Sequence, residues 1–203
     1  MKKLVIIGAS AMGRETCVYA RECGMEVRGF LDSRKGIMND YPSYPPVLSS
    51  AEDYTPTADD VFVCALGEPG QKKRYVEMIS IKRGEFASII HPRSYIGSGV
   101  TIGEGSIVAP NATITTDVIL GKHTTININS SINHDCIIGD YVTLSPGCNV
   151  AGWCKLEPEV FMGVHSACLP HVNLGERVYV AAGAVVTKSV ESGRVMGIPA
   201  RIK

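Results

Sequence analysis

Every sixth residue from Ile96 to Val186 is aliphatic, Met or Cys. The series Ile96, Ile102, Val108, Ile114, Leu120, Ile126, Ile132, Ile138, Leu144, Val150, Leu156, Met162, Cys168, Leu174, Val180, Val186 keeps one register without a break. A helix repeats at about 3.6 residues and a strand at about 2.0, so neither alone produces this period. Four residues after each aliphatic position stands a small or β-branched residue, from Val100 and Ser106 to Ala184 and Val190. Pro110, Pro146, Pro158 and Pro170 all fall two residues after an aliphatic position. Proline cannot donate to a central ladder, so these positions mark corners. Gly99, Gly105, Gly147 and Gly183 come one residue later, where a corner favours positive φ. Three locked phases specify a hexapeptide parallel β-helix, a solenoid whose coils pair only with their neighbours.

The residues before the array follow another pattern. Lys3–Gly8 reads as a buried strand ending in Gly, Ala11–Cys23 as a helix stopped by Gly24, and Val27–Leu31 as a second strand ending at Asp32. Val61–Leu66 reads as a third strand, Gln71–Lys82 as a helix and Phe86–Ile90 as a last short strand. The stretch between Asp32 and Val61 holds Pro42, Pro45, Pro46 and Pro56 and reads as loop-rich. Strands alternating with helices imply a small parallel sheet. Gly8-Ala-Ser10-Ala-Met-Gly13 is a dinucleotide fingerprint whose middle Gly is Ser10. With a strand before it, a helix after it and Asp32 further on, it suits phosphate and ribose recognition at a helix N-terminus. An ordinary βαβ turn without a ligand is the alternative.

The chain has 20 Lys+Arg and 20 Asp+Glu. This balance gives no basic footprint for nucleic acid. The apolar run after Lys2-Lys3 is too short for a signal peptide, and Arg14 and Glu15 follow at once. No segment is long enough to span a membrane. Seven cysteines without a C-x-x-C pair suit a reducing, cytoplasmic compartment.

The array resembles the left-handed β-helix of hexapeptide-repeat acyltransferases, in which three hexads make one triangular coil. On that resemblance residues 95–190 supply about five coils, and residues three hexads apart become vertical neighbours at ~4.8 Å. The order of the whole chain, strand–turn–helix domain then coil, resembles the sialic-acid O-acetyltransferase and nucleotide-sugar N-acetyltransferase family. Members of that family acetylate UDP-4-amino-sugars or GDP-perosamine. The fold implied is an α/β Rossmann-like domain over residues 1–90, followed by an all-β left-handed parallel β-helix over 91–203. In the family the first domain holds the nucleotide-sugar. The matching positions here are Ser10, Ala11, Met12, Asp32, Ser33 and Gly67. This sequence reads Ala11-Met12 where the family commonly has Gly-His.

The resemblance also implies a site in the coil. His134 in Asn133-His134-Asp135 matches the general base, and Asp135 the acid that orients it. Gly152, three hexads after His134, matches the backbone N–H donor to a thioester oxyanion. Chemistry agrees: attack on a thioester needs the nucleophile deprotonated as it attacks, and imidazole suits this at neutral pH. Asn127 matches a substrate contact. Thr143, Val164 and Ala182 match acetyl-CoA contacts, Thr143 standing where some members have His. Arg201, in the terminal Gly197-Ile-Pro199-Ala-Arg201, and Lys188 are candidates for its phosphates. Trp153 stacks over Asp135, as a channel wall or a corner cover. Cys136 and Cys154 stack on one corner, as core thiols or a redox pair.

The expected reaction is transfer of acetyl from acetyl-CoA to the amine of a nucleotide-linked sugar. The expected assembly is a homotrimer with sites between subunits. O-acetylation of a hydroxyl, as on sialic acid, is the nearest alternative, and a non-catalytic trimeric scaffold the next. A β-helix carbonic anhydrase needs three zinc-ligating histidines. His134, His165 and His171 do not share a face, so no metal is expected.

Overall fold

The computed structural model describes residues 2–198 and the backbone of 201–202. Strand β1 (Lys3–Ile7), helix α1 (Ala11–Glu22), β2 (Val27–Leu31), β3 (Val47–Ser49), β4 (Asp60–Cys64) and helix α2 (Pro69–Ile81) build the first layer structure. The sheet order is β3-β2-β1-β4, with all neighbours parallel. Successive strand residues face opposite sides. Leu4 and Ile6 pack with Cys17 and Ala20 of α1, and Val5 and Ile7 with Val76 and Ile79 of α2. One helix therefore covers each face. Gly13 is required by that packing, since a Cβ there would stand 2.0 Å from the Gly8 carbonyl oxygen.

One expectation is refined here and one corrected. The proline-rich stretch after Asp32 is mostly loop and turn, as expected, but also contains β3. It is an edge strand, so the chain tolerates Pro45 and Pro46 beside it, and Phe30 N–H donates to the Pro46 carbonyl at 3.0 Å. Phe86–Ile90 is not one strand. Phe86 makes a single bridge to Phe62, whereas β5 (Ile89–Ile90) pairs with Ile107–Val108 of the solenoid.

From β5 onward the chain is a parallel β-solenoid of short strands in three sheets, and its hexapeptide repeat implies a left-handed coil. The pairs Thr125↔Thr143, Ser131↔Asn149 and Ile119↔Ile137 show the three-hexad register, one on each face. The first face carries Ile107, Thr125, Thr143, Phe161 and Tyr179 outward, the second Ser131 and Asn149, the third Ile119 and Ile137. The six-residue aliphatic series fills the interior; Ile126, Ile132, Leu144, Val150 and Leu156 are completely buried. The third place after each aliphatic residue from Ile96 to Val180 turns the corner with positive φ. Large residues as well as Gly adopt it there: Asp135 (60°), Tyr141 (62°), Trp153 (56°), His165 (56°) and His171 (62°). Interior packing and coil-to-coil hydrogen bonds, such as Trp153 N–H to the His134 carbonyl at 3.1 Å, offset that strain.

The N-terminal layer docks on the first face. Lys72 of α2 is fully buried and donates to Thr125 Oγ1 at 3.0 Å and Thr143 Oγ1 at 2.8 Å. Lys73 pairs with Glu159 at 2.7 Å. Burial pushes the Lys72 ammonium down to about 7. Ile89 and Ile107 join the apolar cluster of Leu4 and Ile6.

Candidate active site

The corner between the second and third faces lies opposite the docked N-terminal layer. It carries His134 and Asp135 on one coil, Gly152 and Trp153 on the next, and Pro170 and His171 above. His134 Nδ1 lies 2.9 Å from Asp135 Oδ2. With the proton on Nδ1, the carboxylate accepts it and Nε2 presents a free lone pair. The imidazole occupies the space next to Gly152: a Cβ there would stand 2.6 Å from Cε1 and 2.8 Å from Nε2 of His134. Only Gly leaves room for that ring position. Among the described residues the Gly152 N–H has no hydrogen-bond acceptor, so it is a spare donor on the coil next to His134. Both His134 and Asp135 are open to solvent, with side chains 44% and 45% exposed. An imidazole, a carboxylate and a backbone N–H without an acceptor thus share one accessible corner, an arrangement chemically suited to proton transfer and to stabilising an oxyanion.

Trp153 extends this corner. Its indole meets the His134 ring at 4.5 Å and 87° and stacks on His171 at 5.0 Å and 5°. The hexad phase places Trp153 on the column of Asp135, but His171 was no sequence candidate. Its signal is the same column one coil further. Cys136 and Cys154 are buried, and their thiols donate to the Ala151 and Leu169 carbonyls at 3.1 Å each. The neighbouring Cys154 thiol and burial push the Cys136 pKa up, which disfavours a thiolate.

The other sequence candidates fall elsewhere. Ser10, Asp32 and Ser33 line a cavity of ≈ 360 Å³ with Gly8, Arg34 and Gln71. Ser10 caps α1 without a side-chain hydrogen bond, which leaves its hydroxyl available. Asp32 accepts from the Ala9 amide at 2.9 Å and from Arg34 Nη2 at 2.7 Å. Burial pushes the Asp32 carboxyl up, but hydrogen bonds from Arg34 and the two amides outweigh it and hold the pKa at about 2. Ala11 and Met12 open α1 beside this cavity. Gly67 lies near the Met12 sulfur and lines a second cavity of ≈ 640 Å³ with Arg177, Phe161 and Tyr179.

Thr143 lies on the first face beneath α2. It is 3% exposed and bonded to Lys72 under α2; it matches in sequence, but docking of α2 on the first face covers it. Asn127 accepts from the Ile128 amide at 2.9 Å and serves its own turn. Asn127, Val164 and Ala182 lie on the corner between the first and second faces, away from His134 of the same chain; Val164 and Ala182 are exposed. Lys188 is exposed, and the Arg201 side chain lies outside the described residues.

Residues 3–79 match the PglD N-terminal domain, and residues 86–116 and 117–152 match the bacterial transferase hexapeptide repeats. This chain is a hexapeptide-repeat acyltransferase with a PglD-type N-terminal domain. No curated protein matches it. Solved structures similar to this acyltransferase span its full length. PerB from Caulobacter crescentus, solved with CoA and GDP-perosamine, is 25% identical over 100% of this chain and 98% of its own, with a TM-score of 0.91. WeeI from Acinetobacter baumannii is 26% identical over 100% of both chains, TM-score 0.87. The acetyltransferase domain of PglB from Neisseria gonorrhoeae, solved with acetyl coenzyme A, shares the fold at 23% identity and TM-score 0.87, over 100% of this chain and 99% of that one. Among the described residues no group of three His, Cys, Asp or Glu side chains could hold a metal ion, and no helix is long and apolar enough to cross a membrane.

Proposed function

We propose that this acyltransferase moves acetyl from acetyl-CoA to the amino group of a nucleotide-linked sugar, in a ternary complex and without a covalent intermediate. The observation that carries this reading is the His134–Asp135 pair set against the spare Gly152 N–H. His134 Nε2 takes the proton as the amine attacks the thioester carbon. Asp135 holds the tautomer and balances the imidazolium. The Gly152 N–H donates to the oxyanion, and CoA leaves as the C–S bond breaks. The binding of GDP-perosamine and CoA by PerB supports the substrate class.

The nucleotide is assigned to the cavity of Ser10, Asp32 and Arg34, within an N-terminal domain of residues 1–90. The β-helix domain, 91–203, supplies the chemistry. Because the N-terminal domain sits on the first face and His134 on the opposite edge, a sugar held by one chain is presented to His134 of another. Val164 and Ala182 on the remaining corner complete the acetyl-CoA groove from a neighbouring copy. A homotrimer with sites between subunits satisfies this geometry. Its place is the cytoplasm, where acetyl-CoA is made and used.

The test is CoA release from acetyl-CoA with a panel of UDP-, GDP- and dTDP-linked amino-sugars plus sialic acid, on wild type and His134→Ala. Turnover on an amino-sugar that falls by about 10²–10⁴-fold in the variant supports the reading. Turnover on sialic acid alone moves the assignment to O-acetylation. Activity indifferent to His134 removes it as the base.

A further inference from the structure

Trp153 is the single tryptophan of the chain. It holds φ at 56°, in the left-handed region that a bulky side chain enters only at an energetic cost. It is also 52% exposed, so burial of apolar surface does not account for its place. Its ring contacts do. The indole is perpendicular to the His134 imidazole at 4.5 Å and parallel to His171 at 5.0 Å. Backbone bonds tie the same three coils: Trp153 N–H to the His134 carbonyl and His171 N–H to the Gly152 carbonyl, both 3.1 Å.

The His134 ring has three contacts of different kinds. Asp135 holds Nδ1. Gly152 leaves the space the ring occupies, since a Cβ there would stand 2.6 Å from Cε1 and 2.8 Å from Nε2. The indole stands across the ring. Asp135 is 45% exposed and fixes one atom only, so the imidazole can still swing about that hydrogen bond. The indole blocks the swing, and His171 keeps the indole from moving away.

We infer that Trp153, braced by His171, is a positioning residue that locks the His134 imidazole in the orientation Nε2 needs to receive the acceptor's proton. This rests on the reading of His134 as general base. Trp153 touches neither reacting atom; it acts through the ring it restrains.

Steady-state kinetics test it, with the amino-sugar acceptor of highest turnover and Trp153→Ala, Trp153→Leu, Trp153→Phe, His171→Ala and His134→Ala. Loss of the indole should lower kcat by roughly 10–10²-fold, the scale of an ångström misplacement. The KM values should stay within about twofold, because no binding contact is lost. Trp153→Phe restores an aromatic ring and should recover most of kcat; His171→Ala should show a smaller loss in the same sense. In the His134→Ala background, Trp153→Ala should cause no further loss, since both act through one group. If Trp153→Ala does not fold, the Leu-to-Phe comparison decides. A raised KM at unchanged kcat would make Trp153 a ligand wall and overturn the inference. So would full activity without the indole, or additive losses in the double variant. Full activity of His134→Ala instead removes the general-base reading itself, a separate result.

Discussion

Replacing Gly152 by alanine puts a methyl group 2.6 Å from Cε1 and 2.8 Å from Nε2 of His134, where ordinary contact begins at 3.4 Å. The imidazole must retreat by roughly 1 Å, and misplacement of a reacting group on that scale costs about 10²-fold in rate. That is about 2.7 kcal/mol of transition-state stabilisation. The backbone supplies no competing explanation. Gly152 does not hold a positive φ, so alanine adopts its conformation and lowers the entropy of the unfolded chain. The amide N–H survives as well, so the proposed oxyanion donor remains while the proposed base is displaced. Gly152→Ala should therefore fold with a Tm within a few degrees of wild type and lose about 10²-fold in kcat. CoA release under saturating acetyl-CoA, beside a thermal melt, reads both. Activity within about threefold of wild type would refute the claim that the working imidazole lies on Gly152. A rate loss matched by a collapse in Tm would refute the separation of site from fold.

Asp135→Asn should lower kcat by at least about tenfold while leaving the acetyl-CoA KM in place, since the carboxylate orients the base and does not bind the donor; pre-steady-state CoA release measures it. Asp32→Asn should free Arg34, because both oxygens of Asp32 accept from its amide or guanidinium, and raise the acceptor KM by about tenfold through loss of cavity order, with acetyl-CoA KM unchanged. Lys72 has a folded pKa of about 7 against 10.5 unfolded, so the unfolded chain binds a proton that the native chain does not across that window. Stability from this group therefore rises with pH from about 7 to 10.5, by roughly 1 kcal/mol per pH unit, and has levelled off at its low value once pH falls below about 7, where both states hold the proton; Lys72→Met should remove that slope in denaturant titrations. Mixing His134→Ala chains with Asp32→Asn chains under conditions of subunit exchange should yield more activity than either alone, because some interfaces then pair an intact pocket with an intact base.

The solenoid was legible because each hexad position has one environment, interior, corner or face, repeated along the chain. Ile126, Ile132 and Leu144 could be placed without any long-range information. His134, Asp135 and Gly152 were named by the resemblance to hexapeptide acyltransferases, and the three-hexad spacing sets Gly152 against the His134 ring. The burial of Thr143 was not legible, for the opposite reason. Its burial depends on α2 docking across the first face through Lys72, a contact 71 residues apart in sequence that no repeat encodes. β3 escaped notice because prolines signal loops, and an edge strand needs partners on one side only. Ile89–Ile90 was assigned to the preceding sheet because a two-residue apolar pair suits either sheet, and only the chain's switch after Phe86 decides between them. His171 lacked a local motif; its meaning comes from the ring beneath it.

The most direct measurement is the chemistry of the product formed from acetyl-CoA and a nucleotide-linked amino-sugar, with wild type and His134→Ala in parallel. An acceptor that gains one acetyl group as an amide stable to hydroxylamine, formed by wild type and nearly absent with His134→Ala, is the predicted result. An ester cleaved by hydroxylamine, or equal amide formation by both proteins, would contradict it.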